Sequence, residues 1–268
     1  MMTDITIVTA FFDIGRGTWT PDKGFPHYIE RSTDTYFERF ANMAKLDNDM
    51  VVYTSEDLKQ RVLDLRGDKK TTVVTLDFIN SFNSLRHKIQ TVQNNPEFQL
   101  RVNPSQSKSP EYWNANYVLV NLLKSSMVHK AIVDGLIDTD MVAWIDFGYC
   151  RKPEDAGKYP KWSYNFDPEK IHFFNLKKFT EGNTIEETIF NNHVYVTGPH
   201  FVAHKKNWPK LDTMIQYHTD VLLMNDLIDD DQTLMLMSSL GNPEMFETHM
   251  ISDNDWFCIF RDYNEGLS

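Results

Sequence analysis

"DITIVTAFFDIGRG", residues 4–17, sets a β-branched and aromatic run (4–12) directly against the turn-forming "DIGRG". A strand that runs into a glycine-bearing turn and then into helical periodicity opens a βαβ unit. Residues 27–46 supply that periodicity, with Ile29, Tyr36, Phe37, Phe40, Met43 and Ala44 recurring at helical spacing. "MVVYT" (50–54) reads as a short buried strand, and Ser55 after it can cap the next helix. "TTVVTLDF" (71–78) is a third strand, followed by a helix over 81–94. The Pro-, Asn- and Ser-rich segment 95–109 reads as a surface loop. A long helix is expected over 110–134, with Tyr117, Val120, Leu123, Met127 and Ala131 as its buried stripe, and "MVAWIDF" (141–147) is the strand after it.

Strand and helix alternating at this rhythm predict parallel βαβ units with helices on both faces. Beyond residue 150 the rhythm breaks. A polar loop is followed by expected strands at 170–176 and 192–198 and by two helices within 205–241. The expectation is one α/β, Rossmann-like domain over 1–268. It has a mostly parallel central sheet flanked by helices, a ligand-binding half over about 1–150 and an elaborated half over about 151–268.

Composition narrows the function classes. Of the 268 residues 41% are hydrophobic and 13% aromatic, which is globular rather than disordered composition. No apolar run is long enough to span a bilayer, and the N-terminus lacks the basic start and cleavage site of a signal peptide. Two distant cysteines, Cys150 and Cys258, speak against a disulfide framework and suit a reducing compartment such as the cytoplasm. A net charge of −11 argues against a nucleic-acid partner but leaves room for a small anion held by local cations.

In open α/β sheets ligands sit beyond the C-terminal strand ends, which places "FFDIGRG", "TSED" (54–57) and "DFGY" (146–149) on one rim. Each motif has a plain reading and a functional one. The glycines around Arg16 can serve a turn, or the loop with Ala10, Phe11 and Phe12 can wrap a nucleotide while Arg16 meets its diphosphate. Ser55 and Glu56 suit a helix start as well as a ligand. Arg86 in "NSLRHK" can face solvent or steady phosphates. Three adjacent carboxylates, Asp229 to Asp231, precede an apolar helix. Capping accounts for one or two of them, but their mutual repulsion leaves the cluster unexplained.

"ITIVTAFFDIGRGTW", "RSTDTYFERF", "MVVYTSEDL", "AWIDFGYCR" and "DDDQTL" together resemble the bacterial HtrL/YibB family, from about residue 4 to about residue 263. More distantly, the order of elements is similar to GT-A-fold nucleotide-sugar glycosyltransferases that build bacterial surface polysaccharides, lipopolysaccharide among them. The resemblance implies a GT-A-like domain whose strand after the central helix ends in Asp-x-Asp, holding manganese or magnesium against the donor diphosphate. Here Asp146 keeps the first carboxylate and Gly148 replaces the second, so Asp146 is the implied metal ligand in an incomplete pattern, or it bonds a donor sugar hydroxyl. By the same resemblance Ser55 and Glu56 contact base or ribose, and Asn121 and Lys124 face the donor. His200, in "VTGPHFVAH", and Gln232 meet the acceptor, while Asp231, with Asp230 as its substitute, is the base for the incoming hydroxyl.

The expected function is sugar transfer from a nucleoside-diphosphate donor, UDP-linked and with galactofuranose as one implied sugar, to a hydroxyl of a surface glycan or glycolipid. A lipid-linked acceptor would bring the protein to the inner face of the membrane. Two other readings stay open. One is a non-catalytic nucleotide- or sugar-binding protein on the same fold, favoured by the broken Asp-x-Asp. The other is a phosphate-directed hydrolase using the carboxylates with magnesium.

Overall fold

The computed structural model describes residues 4–252 and 255–265. In chain order the first half runs β1 (Ile5–Phe11), α1 (Thr33–Met43), β2 (Met50–Thr54), α2 (Lys59–Arg66), β3 (Thr71–Thr75), α3 (Phe78–Ser81), α4 (Asn83–Gln93), α5 (Pro96–Arg101), α6 (Ala115–Leu122), α7 (Lys124–Val133) and β4 (Met141–Ile145). The second half adds β5 (Ile171–Asn175), α8 (Ile185–Asn191), β6 (His200–His204), α9 (Trp208–Met224), α10 (Asp231–Gly241), β7 (Phe246–Met250) and α11 (Ile259–Asp262).

Among the described residues, seven strands join one sheet in the order β3-β2-β1-β4-β6-β5-β7. β3, β2, β1 and β4 are parallel neighbours, and β5 is parallel to β7. β6 alone runs against its neighbours β4 and β5. The fold is therefore the expected α/β architecture, with a mostly parallel sheet between helices.

Alternation along the strands explains why both faces are covered. Ile5, Ile7 and Phe11 of β1 enter one core cluster with Val52 of β2 and Ala143 and Ile145 of β4. Val8, on the opposite face, enters the other with Val51, Tyr53, Val142 and Trp144. Successive side chains of a strand point to opposite faces, so an uninterrupted apolar run fits a sheet buried on both sides.

Several elements differ from the sequence-based expectation. The segment expected as a loop contains α5, because the Asn95 side chain accepts the Glu97 N–H and Pro96 occupies the first helical turn. The long helix divides at Leu123 into α6 and α7. Residues 192–198 form only a bridge, Asn175 to Val196, and the strand lies just beyond, at β6. α8, capped by Thr184, and the edge strand β7 were not expected. β3 stops at Thr75, and Asp77 caps the short α3 instead of continuing the strand.

Candidate functional site

A cleft of about 250 Å³ opens where β1 and β4 end. The loop after β1 enters it with Phe11, Phe12 and Arg16, and the turn after β4 contributes Asp146, Phe147 and Gly148. α6 and α7 add Tyr117, Asn121 and Lys124, and the start of α10 adds Asp230, Asp231 and Gln232.

Lys124 is the hub. Its Nζ lies 3.0 Å from Asp146 Oδ1 and 2.9 Å from Asp231 Oδ2, and it donates to the Gly198 carbonyl at 2.9 Å. The residue is only 5% exposed. Burial alone would depress its pKa, but the two carboxylates outweigh burial and hold the ammonium charged. Asp146 Oδ1 also accepts from the Trp144 indole at 2.8 Å, and its backbone N–H donates to Pro199 at 2.8 Å. The turn after β4 is thus fastened to the 198–199 segment.

The three adjacent aspartates take three separate partners. Asp229 accepts from Thr233 Oγ1 at 2.6 Å, Asp230 caps α10 by accepting the Gln232 N–H at 3.0 Å, and Asp231 meets Lys124. Capping therefore accounts for Asp230, while Asp231 is held by a cation from another helix. Burial, with Glu111 next, raises Asp230 to about 7. Burial, opposed by Lys124 and reinforced by Asp230 and Asp146, raises Asp231 to about 8. Both carboxyls therefore exchange protons near neutral pH.

Two glycines are required by close approach. A Cβ at Gly198 would lie 2.7 Å from Asp231 Oδ2, so the Lys124–Asp231 pair needs a glycine there. A Cβ at Gly148 would lie 2.9 Å from the Tyr36 ring. Tyr36, not open space, therefore fills the position that the second carboxylate of an Asp-x-Asp would need. With one oxygen of Asp146 already engaged by Lys124 and Trp144, the residues present fit a two-carboxylate metal clamp poorly. Among the described residues, His172, Glu247 and His249 lie close enough to share an ion, but none of them lines the cleft. There His172 Nδ1 and His249 Nε2 are 3.0 Å apart, a hydrogen-bond distance.

Of the expected site residues, Ala10, Phe11, Phe12, Arg16, Asn121, Lys124, Asp146, Gly148, Asp230, Asp231 and Gln232 line one cleft. Arg16 is braced as well: Nη1 donates to Tyr36 Oη at 2.9 Å and Nη2 to the Ile29 carbonyl at 3.1 Å. Ser55, Glu56 and Arg86 are not among the lining residues. Glu56 is exposed in the helical turn after β2, and Arg86 pairs with Asn83 on α4. His200 is also placed elsewhere. As the first residue of β6 it is fully buried between Tyr149 and Phe174, and burial drops its pKa to about 3.

Tyr36, Tyr117, Arg31, Arg151, Trp144 and Phe257 also line the cleft and were missed. Tyr117 shares a helical stripe with Asn121 and Lys124, four and seven residues on, and that spacing could have marked it. Its aromatic ring instead read as core.

Fold and site together define an α/β protein with a mostly parallel sheet and a polar cleft at its strand ends. The chain belongs to the HtrL/YibB family: the family model described as "Bacterial protein of unknown function (HtrL_YibB)" matches residues 3–265. It is 40% identical to Protein HtrL of Escherichia coli (strain K12) over 264 residues, 97% of this chain and 93% of that protein. Among solved structures it is similar to mouse xyloside xylosyltransferase 1 in its apo form, at 11% identity and a TM-score of 0.45, over 99% of this chain and 95% of that one. Among the described residues no helix is long and apolar enough to cross a membrane.

Proposed function

We propose that the cleft binds a nucleoside-diphosphate sugar, UDP-linked, and that the protein transfers the sugar to a hydroxyl of a surface glycan such as lipopolysaccharide. Galactofuranose is one donor sugar to be tested, and a lipid-linked acceptor would place the protein at the inner membrane face. The observation that carries the reading is the convergence of the β1 loop, Lys124, Asp146 and the Asp230–Asp231 pair on one cleft. Residues up to about 150 serve the donor, and 151–268 serve the acceptor.

In the proposed step the acceptor oxygen attacks the anomeric carbon and the bond from that carbon to the β-phosphate oxygen breaks. UDP leaves with the electron pair, and the acceptor proton passes to a carboxylate. Asp231 is the base, with Asp230 beside it as the substitute. A base whose pKa lies near the working pH balances proton affinity against availability. Arg16 faces the diphosphate, and Asp146, oriented by Trp144 and Lys124, accepts a hydrogen bond from a sugar hydroxyl.

A second reading, a binding protein without turnover, is favoured by Gly148 in place of the second carboxylate. UDP release from a panel of UDP-sugars, with and without glycan acceptors, separates the two. Acceptor-dependent release that rises with pH through about 8 and is lost in Asp231→Asn supports transfer. Binding without release under any combination supports the second reading.

A further inference from the structure

In a chain of net charge −11, four arginines gather around Tyr36 and Gly148. Arg16, Arg31 and Arg151 line the cleft. Arg39 lies beside them on α1, its Cδ 3.7 Å from where a Gly148 Cβ would stand. Among the described residues none of the four forms an ion pair, although thirteen other lysines, arginines and histidines do. Arg39 Nη1 is buried and has no hydrogen-bond partner. Arg151 lies over the Phe257 ring at 4.2 Å, and Arg16 is fixed by Tyr36 and Ile29.

Like charges held together at partial burial destabilise a fold unless an anion joins them. The cost is visible in the cluster itself. Burial and then Arg31 pull Arg39 downward, and burial followed by Arg31 and Arg39 pulls Arg151 down to about 10. Both remain charged at neutral pH. The planar fork of a guanidinium suits phosphate oxygens, and several converging forks suit a diphosphate.

We propose that Arg16, Arg31, Arg39 and Arg151 form one anion-binding subsite at the Tyr36–Gly148 wall of the cleft, which takes a phosphate or diphosphate group of the bound ligand. The proposal rests on the ligand-cleft reading above and deepens it. The arginines supply countercharge at the place where Tyr36 excludes a second metal-binding carboxylate. The phosphate can belong to the nucleotide of a donor or to a phosphorylated sugar on the acceptor side.

Isothermal titration in the presence of a chelator tests this with UDP, uridine, inorganic pyrophosphate and a hexose 1-phosphate. Each is titrated against the wild-type chain, Arg31→Gln, Arg151→Gln and the double variant, with thermal melts confirming that each variant folds. Arg31 is half-buried and Arg151 exposed, so both tolerate glutamine. Pyrophosphate affinity should fall at least tenfold in the double variant. UDP falling with it while uridine is unchanged places the nucleotide diphosphate at the arginines. A tenfold loss confined to hexose 1-phosphate and pyrophosphate assigns the subsite to the acceptor phosphate. Loss of pyrophosphate binding with no UDP binding at all leaves the anion subsite standing and removes the nucleotide-donor reading. The proposal is overturned if no phosphate compound binds the wild-type chain, or if the folded double variant binds each as well as wild type does.

Discussion

Replacing Lys124 with methionine keeps the aliphatic stem and removes the charge that joins Asp146, Asp231 and the Gly198 carbonyl. At mildly acidic pH Asp231 can hold a proton in both proteins, since its pKa already stands at about 8. The loss is then that of buried polar groups left without a donor, about 1–3 kcal/mol. Above pH 8 wild-type Asp231 ionises against Lys124, whereas the variant must keep its proton or bury an unpaired charge. The folded variant therefore binds an extra proton, and its disadvantage grows by about 1.4 kcal/mol for each pH unit. Near pH 9 to 10 the total reaches roughly 3–5 kcal/mol, the range for a broken buried pair. Asp146, with its side chain 38% exposed, adds less because water screens it. Urea unfolding of wild type, Lys124→Met and Lys124→Met/Asp231→Asn across this range is the assay. The double variant should lose the pH-dependent part of the deficit. A deficit independent of pH, or one unchanged by Asp231→Asn, would refute the coupling.

Gly148→Ala should cost about 1–3 kcal/mol by overpacking against Tyr36 and should weaken UDP binding, because Tyr36 braces Arg16. Melting curves and titration of one variant check both effects. Buried groups should also make stability depend on pH, in two limbs of opposite sign. His200, with a folded pKa of about 3, contributes fully above its unfolded value of about 6.5 and loses that contribution as pH falls toward 3. Asp230 and Asp231, raised to about 7 and about 8, contribute fully below the ordinary carboxyl value of about 4 and lose that contribution as pH rises from there to the folded values. Asp230→Asn and Asp231→Asn should remove the decline that accompanies rising pH up to about 8 and leave the His200 limb in place, as read by unfolding against pH.

The elements legible in the sequence are those whose apolar pattern has one interpretation. β1, β2 and β4 are uninterrupted runs buried on both faces, and their ends led to Arg16 and Asp146. β7, "FETHM", alternates polar residues at the sheet edge, so it carries little apolar signal. α5 depends on the cap from Asn95, in a stretch whose composition resembles a loop. His200 was misplaced because "VTGPH" reads as a turn when the strand in fact begins at the histidine. The arginine cluster was hidden for another reason. Arg16, Arg31, Arg39 and Arg151 come together only because β1 and β4 are sheet neighbours and Tyr36 packs against Gly148.

The most direct measurement is isothermal titration of UDP-sugars against the wild-type chain and Asp146→Asn, with melting temperatures recorded for both. Binding of a UDP-sugar at one site is predicted, weakened about tenfold or more in Asp146→Asn, about 1.4 kcal/mol, with little change in melting temperature. Equal binding by both proteins, or no UDP-sugar bound by a folded wild-type chain, would contradict the assignment of this cleft to a nucleotide-sugar donor.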